Sequence, residues 1–236
     1  MKSICFAVAC LSITSVAAAD TINVPVDQPT IAAAISAAAN GDVINIDAGT
    51  YIEHSLNPGG KAITIQGTLN GDGTLASTID ANGDGRVFSF TSGETTDTVI
   101  KDLVITGGSA GIGGGIFCNQ NSNPTISGCL IEGNTAGNWG GGIYCDTSNP
   151  TISGSQVCGN APSQIDGFYT DGGGNTVADE CPAGCPADLN GDGAVTAADI
   201  TVLLQSWATA GGDLNGDGTT TAADITVLLQ AWGPCR

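Results

Sequence analysis

The chain has 236 residues and a formal net charge of −18, with 23 Asp and Glu against 5 Lys and Arg. This acidic excess argues against nucleic acid and anionic membranes as partners, because both are negatively charged. With 36 glycines and 5% aromatic residues, the composition indicates a repetitive architecture rather than an ordinary globular core.

The first residues have the pattern of a secretory leader. Lys2 precedes an apolar run from Ile4 to Val16, and three alanines stand before Asp20. We therefore predict a signal peptide over 1–19 and a secreted protein, extracellular or at the cell surface. The apolar run is too short to cross a bilayer and no later segment is long enough, so no membrane span is expected.

The segment from Thr30 to Ala39 predicts one short amphipathic helix. Ile31 and Ile35 lie among alanines, and Gly41 stands just beyond. An uncapped solenoid end exposes both its core and its strand edge. We expect this helix to cap the first coil of the repetitive region that follows.

One motif occurs twice in the middle of the chain, within 113–134 and again within 140–160. It begins Gly-Gly-Gly-Ile-aromatic-Cys, ends in Gly-Asn, and recurs at a period of about 26 residues. Short alternating strands are separated by Gly, Asn, Pro and Ser, and no segment forms a crossover helix. Such units bury their apolar side only by stacking. We expect Asn134 and Asn160 to lie one above the other as a hydrogen-bonded ladder.

This pattern resembles the right-handed parallel β-helix of the pectin-lyase-like superfamily, and it is similar to bacterial polymorphic outer-membrane repeats. The resemblance implies a mainly β domain of about six coils over 20–180. Residues Ile165 to Val177 depart from the repeat. They carry Phe168 and Tyr169, which are expected to close the last coil.

Catalytic candidates in this region are few. His54 is the single histidine, and we interpret it as a residue of a surface turn, since a triad needs further partners. Glu94, Asp97 and Asp102 are expected to point outward and to approach the spacing of a glycosidase carboxylate pair across adjacent coils. Asp97 and Asp102 are the weak candidates for catalysis. The alternative is a structural role, in which both lie at the ends of strands.

A calcium-like motif occurs at Asp80-Ala-Asn82-Gly-Asp84-Gly85. Position 12 of an EF-hand loop starting at Asp80 is Thr91, which does not supply the carboxylate that such loops place there. We interpret this segment as a turn.

Two of the nine cysteines fall in the leader, which leaves an odd number in the mature chain. Cys158 takes the place of Glu132 in the repeat and is predicted to pair with Cys181. Cys118, Cys129 and Cys145 fall on inward strand positions. Buried thiols are favoured for these three, with a Cys118–Cys145 disulfide as the alternative.

The last fifth of the chain carries a duplicated calcium loop, Asp188-Leu-Asn190-Gly-Asp192-Gly and Asp213-Leu-Asn215-Gly-Asp217-Gly. Oxygen ligands fall at loop positions 1, 3, 5 and 12, and a backbone carbonyl is expected at position 7. The predicted ligands of two calcium ions are Asp188, Asn190, Asp192, Ala194 and Asp199, and Asp213, Asn215, Asp217, Thr219 and Asp224.

Each loop precedes a segment with one apolar stripe at helical spacing. We expect the two helices to share these stripes as a small core. The stripes are Ile200, Leu203, Leu204 and Trp207, and Ile225, Leu228, Leu229 and Trp232.

The duplicated loop and helix resemble type I dockerins, which are small α-helical, EF-hand-like modules that fold with calcium and dock onto cohesins. The resemblance covers roughly 185 to 236. It implies neighbouring termini, and on that basis a Cys185–Cys235 disulfide. Where cellulosomal dockerins usually have hydroxyl residues that contact cohesin, this chain has alanine pairs at 197–198 and 222–223, so a partner other than a standard cellulosomal cohesin is expected.

The sequence thus predicts a signal peptide (1–19), a parallel β-helix (20–180), a linker (181–187) and a calcium-binding module (188–236). We expect a binding or assembly protein whose module docks onto a cohesin-like or other cell-surface protein, with polysaccharide as a second partner. The alternative is a polysaccharide-degrading enzyme, a glycoside hydrolase or a lyase, targeted by its dockerin.

Overall fold

The structure, a computed structural model, describes residues 19–71, 73–181, 187–190, 194–209 and 211–234. Residues 21–166 form a parallel β solenoid of about 6 turns, and helices at 197–205 and 222–230 follow. The predicted fold class is confirmed. Within the described residues, no helix is long and apolar enough to cross a membrane. The predicted signal peptide lies outside the described residues, except for Ala19.

Three parallel sheets form the walls of the solenoid. Sheet A consists of Thr21–Val24, Val43–Ile46, Thr64–Gly67, Val99–Lys101, Thr125–Ser127, Thr151–Ser153 and Thr170–Asp171. Sheet B consists of Gly49–Ile52, Ser77–Asp80, Val104–Thr106, Leu130–Glu132, Gln156–Cys158 and Thr176–Ala178. Sheet C consists of Phe88–Phe90, Ile116–Cys118, Ile143–Cys145 and Ile165–Asp166. A two-stranded parallel sheet joins Ser109–Ile112 to Thr135–Trp139.

The core is built from ladders of identical or similar side chains, one from each coil. β-branched residues suit this arrangement, because they pack well on a pleated surface. All members of the two main ladders are fully buried. In sheet A the ladder is Ile44, Ile65, Ile100, Ile126 and Ile152. In sheet B it is Ile79, Ile105, Ile131 and Val157.

The capping helix is α1, Ile31–Ala37, which confirms the predicted helix in a shorter form. Its Thr30 N-cap accepts a hydrogen bond from Ala33 N. The Glu53 carboxylate accepts from the backbone N–H groups of Ile31 (2.7 Å) and Ala32 (2.9 Å). A negative charge at a helix N-terminus satisfies these free donors and complements the helix dipole. Sheet B therefore helps to fix the cap of the solenoid.

The asparagine ladder is present as predicted. Asn134 donates from Nδ2 to Asn160 Oδ1 at 3.0 Å, and its own Oδ1 accepts from Gly108 N at 2.8 Å. Both asparagines are buried. The repeated glycines make room for them: a Cβ on Gly115 would lie 2.9 Å from Asn134 Nδ2, and one on Gly142 equally near Asn160 Nδ2. The ladder and the glycines of the repeat are thus one structural device.

The last coil differs from expectation in one residue. Tyr169 packs against the core, whereas Phe168 is 85% exposed. Only Tyr169 helps to close the coil. Cys158 and Cys181 form the predicted disulfide across this irregular end.

The remaining cysteines of the solenoid also follow the favoured prediction. Cys118, Cys129 and Cys145 are free and buried, and Cys118 lies in register with Cys145. Burial raises the pKa of the Cys129 thiol to about 12. A hydrogen bond with Cys145, together with burial, raises the pKa of Cys118.

The C-terminal module contains α2, Ala197–Gln205, and α3, Ala222–Gln230. The strands Ala194–Val195 and Gly233–Pro234 pair in an antiparallel fashion. This pairing brings the end of the module back to its first loop. The expected Cys185–Cys235 disulfide lies outside the described residues and stays a prediction.

The predicted apolar stripes of α2 and α3 are only half buried. Leu203 and Leu228 are fully buried with Val195 and Ala187, and Ile200 and Ile225 pack against them. The other half of each stripe is about half exposed, so the expectation that the whole stripe forms the core is wrong. The exposed residues are Leu204, Trp207, Leu229 and Trp232.

Candidate functional site

The Asp213 carboxylate organises the second loop of the C-terminal module, residues 213–224. Its Oδ1 accepts from Gly216 N at 2.7 Å, and its Oδ2 accepts from Gly218 N at 2.7 Å. Both glycines have positive φ, of +77° and +95°, which glycine adopts at little cost. The loop can therefore wrap around the first ligand position.

Two further predicted ligands of this loop contact each other. Asn215 Nδ2 donates to Asp217 Oδ2 at 3.0 Å, and Asp217 Oδ1 accepts from Thr219 N at 3.0 Å. The Thr219 N–H and the Asn215 side chain lower the pKa of Asp217, while the charge of Asp224 opposes this effect. Asp217 and Asp224 are thus close enough to repel each other.

The residue at position 12 connects the loop to the helix. Asp224 Oδ1 accepts from Leu214 N (2.8 Å) and Asn215 N (3.1 Å), and Oδ2 accepts from Thr221 N (2.7 Å). Thr221 in turn caps α3, completing a capping box. Asp224 is fully buried. The Thr221 N–H is the main cause that lowers the pKa of its carboxyl group.

The first copy has the same arrangement where it is described. Asp199 accepts from Asn190 N (3.0 Å) and Thr196 N (2.8 Å), and Thr196 caps α2 in the same capping box. Burial alone would raise the pKa of Asp199, but these backbone donors together lower it. Asp188 and Ala194 lie in the described part of this loop, whereas Asp192 lies outside it.

The donor set of the second loop is suited to a hard cation. Asp213, Asp217 and Asp224 supply carboxylates, Asn215 an amide oxygen, and Thr219 a backbone carbonyl. Calcium prefers six to eight such oxygen ligands. The arrangement holds three negative charges in one short loop, which a divalent cation would compensate.

The calcium-like motif in the solenoid behaves as a turn. Asp80 Oδ1 accepts from Asn82 N at 2.7 Å, and Asn82 has φ +51°. This is a local Asx turn. His54 lies beside Ser55, with Nδ1 3.2 Å from its hydroxyl oxygen.

The carboxylates considered for catalysis have structural surroundings. Glu94 is buried rather than outward, and accepts from Gly60 N (2.9 Å) and Ser92 N (2.9 Å). The expectation that it contributes to an exposed pair is therefore wrong. Asp97 is exposed in the turn before Val99–Lys101, where its N–H donates to Thr95 Oγ1.

Asp102 occupies the corner between sheets A and B. Its φ of +56° matches Gly128 (+60°) and Gly154 (+54°), which follow the paired strands of the next two coils. Asp102 also forms an ion pair with Lys101, with Nζ to Oδ2 at 3.7 Å. Its position is thus that of a turn residue between the strands Val99–Lys101 and Val104–Thr106.

Sequence-based prediction missed two surface features. The exposed leucines and tryptophans of the C-terminal module were assigned to its core, because periodicity does not reveal whether a second layer covers the stripe. A groove of about 560 Å³ lies at the C-terminal end of the solenoid beside Phe168. The departure of 165–177 from the repeat was its only signal.

The protein is thus a parallel β solenoid followed by a duplicated loop–helix module with oxygen-rich loops. Residues 186–231 match the model of the dockerin type I domain family. The C-terminal module is therefore a dockerin type I domain, a kind of domain that binds calcium. No curated protein and no solved structure gives a significant match to the chain.

Proposed function

We propose that this is an extracellular docking protein. Its dockerin domain (188–236) attaches the solenoid (20–180) to a cohesin-like or other cell-surface protein, and the solenoid binds polysaccharide. The observation that carries this proposal is the duplicated capping-box geometry of Asp199 and Asp224 within the segment that matches the dockerin family. A secreted location agrees with the leader pattern at 1–19.

Two calcium ions would be held by the two loops. The proposed ligands are Asp188, Asn190, Asp192, Ala194 and Asp199 in the first loop, and Asp213, Asn215, Asp217, Thr219 and Asp224 in the second. Bound calcium supplies positive charge that offsets the repulsion among the carboxylates. Asp199 and Asp224 then link ion binding to helix formation, because each also accepts hydrogen bonds at the start of its helix.

The docking surface would be the exposed half of the two apolar stripes, which we call the apolar face: Leu204, Trp207, Leu229 and Trp232. These side chains are 45–51% exposed, and the two copies match residue by residue. Exposed leucines and tryptophans that repeat on one small domain are typical of an interface. Flanking alanines at 197–198 and 222–223 offer no side-chain hydrogen bonds, so the partner surface should also be apolar.

A binding assay with immobilised cohesin domains tests this proposal. The mature chain should bind at least one cohesin in calcium and dissociate in chelator. Leu204→Ala combined with Leu229→Ala should weaken binding about tenfold or more, because less apolar area is then buried against the partner. The matched control is Val26→Ala, which removes an exposed apolar side chain of the solenoid. Binding that persists in chelator and is unchanged by the double substitution would contradict the proposal.

A further inference from the structure

A groove at the C-terminal end of the solenoid has a volume of about 560 Å³. Its walls come from two stacked turns, 121–123 and 147–149, and from the segment 168–169 of the last coil. The two turns belong to successive coils and are joined by a hydrogen bond from Asn149 N to Asn123 Oδ1 at 2.6 Å. The groove is therefore built on the rigid register of the solenoid, with an irregular segment along one side.

The side chains that line this groove are all uncharged. They are asparagine, threonine, serine, phenylalanine and tyrosine, in a chain whose net charge is −18. Some of their polar groups are available to a ligand. Within the described part of the chain, the side-chain amide of Asn121 and the hydroxyl of Tyr169 have no hydrogen-bond partner. Asn149 uses its Nδ2 to donate to Thr170 Oγ1, which leaves its Oδ1 as an acceptor.

Phe168 supplies an apolar surface next to these amides. It is 85% exposed, the most exposed of the large apolar side chains in the described residues. Exposing a phenyl ring to water is unfavourable in proportion to its apolar area. A ligand that covers the ring would recover this free energy.

The turns of the groove are also conformationally unusual. Asn121 has φ +57° and Thr147 has φ +54°. For a β-branched residue such as threonine, the left-handed region is a true outlier. Its hydroxyl oxygen lies 2.7 Å from Asp146 O and 3.1 Å from Asn119 Oδ1, and its one proton is donated to either acceptor, which fixes the turn. Strain of this kind concentrates at binding sites, where it holds groups in a defined orientation.

We propose that this groove binds a neutral polysaccharide. Amides and hydroxyls match the hydroxyl groups of a sugar, and Phe168 matches the apolar C–H face of a pyranose ring. The groove has no basic residue to form an ion pair with a carboxylate, and the net charge of −18 repels a polyanion, so polyuronates are not expected as ligands. The inference rests on the polysaccharide-binding part of the proposed function and assigns that role to one site.

Calorimetry on the mature chain in calcium tests the site with cellohexaose, mannohexaose, xylohexaose and polygalacturonate. At least one neutral oligosaccharide should bind, and its affinity should not change between low and high salt, because no charge lines the groove. Phe168→Ala should weaken this binding about tenfold or more, and Asn121→Ala severalfold. The matched control is Trp139→Ala, since Trp139 is 57% exposed on the solenoid but does not line the groove.

Three results would overturn the proposal: no neutral oligosaccharide binds, only polygalacturonate binds, or Trp139→Ala abolishes binding while Phe168→Ala does not. Cohesin binding of the same preparations separates this site from the docking function. Phe168→Ala with normal docking and lost glycan binding supports the groove. If the wild-type chain binds neutral glycan in this groove but binds no cohesin, the groove proposal is also supported. That result contradicts only the docking function.

Discussion

Single buried polar residues determine how the coils of this solenoid stack. Asn134 is 1% exposed and joins three coils, through Gly108 below it and Asn160 above it. A buried polar group left without its partner costs about 1–3 kcal/mol. The ladder therefore stabilises one register, and the sliding of a coil would break several of its bonds at once.

Asn134→Ala should lower the free energy of unfolding by about 1–3 kcal/mol, because the Gly108 N–H loses its acceptor and Asn160 Oδ1 keeps only the backbone N–H of residue 134. Denaturant titration measures this change. The matched control is Asn138→Ala: Asn138 is exposed and makes one long contact, to Gly111 O at 3.5 Å. The control should change stability by less than about 0.5 kcal/mol. Equal effects of the two substitutions would show that the ladder contributes little.

A buried thiol makes the stability of the solenoid depend on pH. Burial raises the pKa of Cys129 to about 12 in the folded protein, whereas an unfolded cysteine titrates near about 8.5. A raised folded pKa contributes stability that is present below the unfolded pKa. That contribution is lost as pH rises from about 9 towards 12.

Between pH 7 and pH 10 the wild type should therefore lose on the order of 2 kcal/mol more stability than Cys129→Ala. Urea titration of both proteins at the two pH values measures the difference. Using the difference removes the contributions of other titrating groups. If both proteins lose the same stability, Cys129 is not the buried thiol that the structure places there.

At the scale of elements, the sequence predicts what repetition and local chemistry determine. The period of the repeat predicts the stacked sheets, the alanine-rich segment predicts α1, and the missing counterpart of Cys158 predicts its bond to Cys181. The spacing of Asp213 and Asp224 in the oxygen-rich loop predicts the dockerin family, which the family match confirms. Each of these signals comes from the repetition itself or from a short local segment.

The misses share a physical cause. Periodicity shows which side of a helix is apolar, but not whether another layer covers it. The stripe of α2 is therefore divided between buried Leu203 and exposed Leu204. Glu94 lies in an irregular coil, where strand alternation does not predict the direction of a side chain. Phe168 lies where the repeat ends, so no equivalent residue exists for comparison.

For the whole molecule, stability and docking have separate sources. The solenoid is held by its own ladders and by the Cys158–Cys181 disulfide. The dockerin domain has a small core, with Leu203, Leu228, Val195 and Ala187 as its buried apolar residues within the described part. A core of this size is marginal by itself, so the domain should depend on calcium.

The dependence of the domain on calcium is tested by calorimetric titration of calcium into the metal-free mature chain, with tryptophan fluorescence of the same samples. About two ions should bind, and the signal of Trp207 and Trp232 should change with them. Asp188→Ala combined with Asp213→Ala should abolish both effects, whereas Asp80→Ala with Asp84→Ala, in the similar motif of the solenoid, should leave them intact. A chain that binds no calcium, or whose fluorescence is the same in calcium and in chelator, would contradict the account.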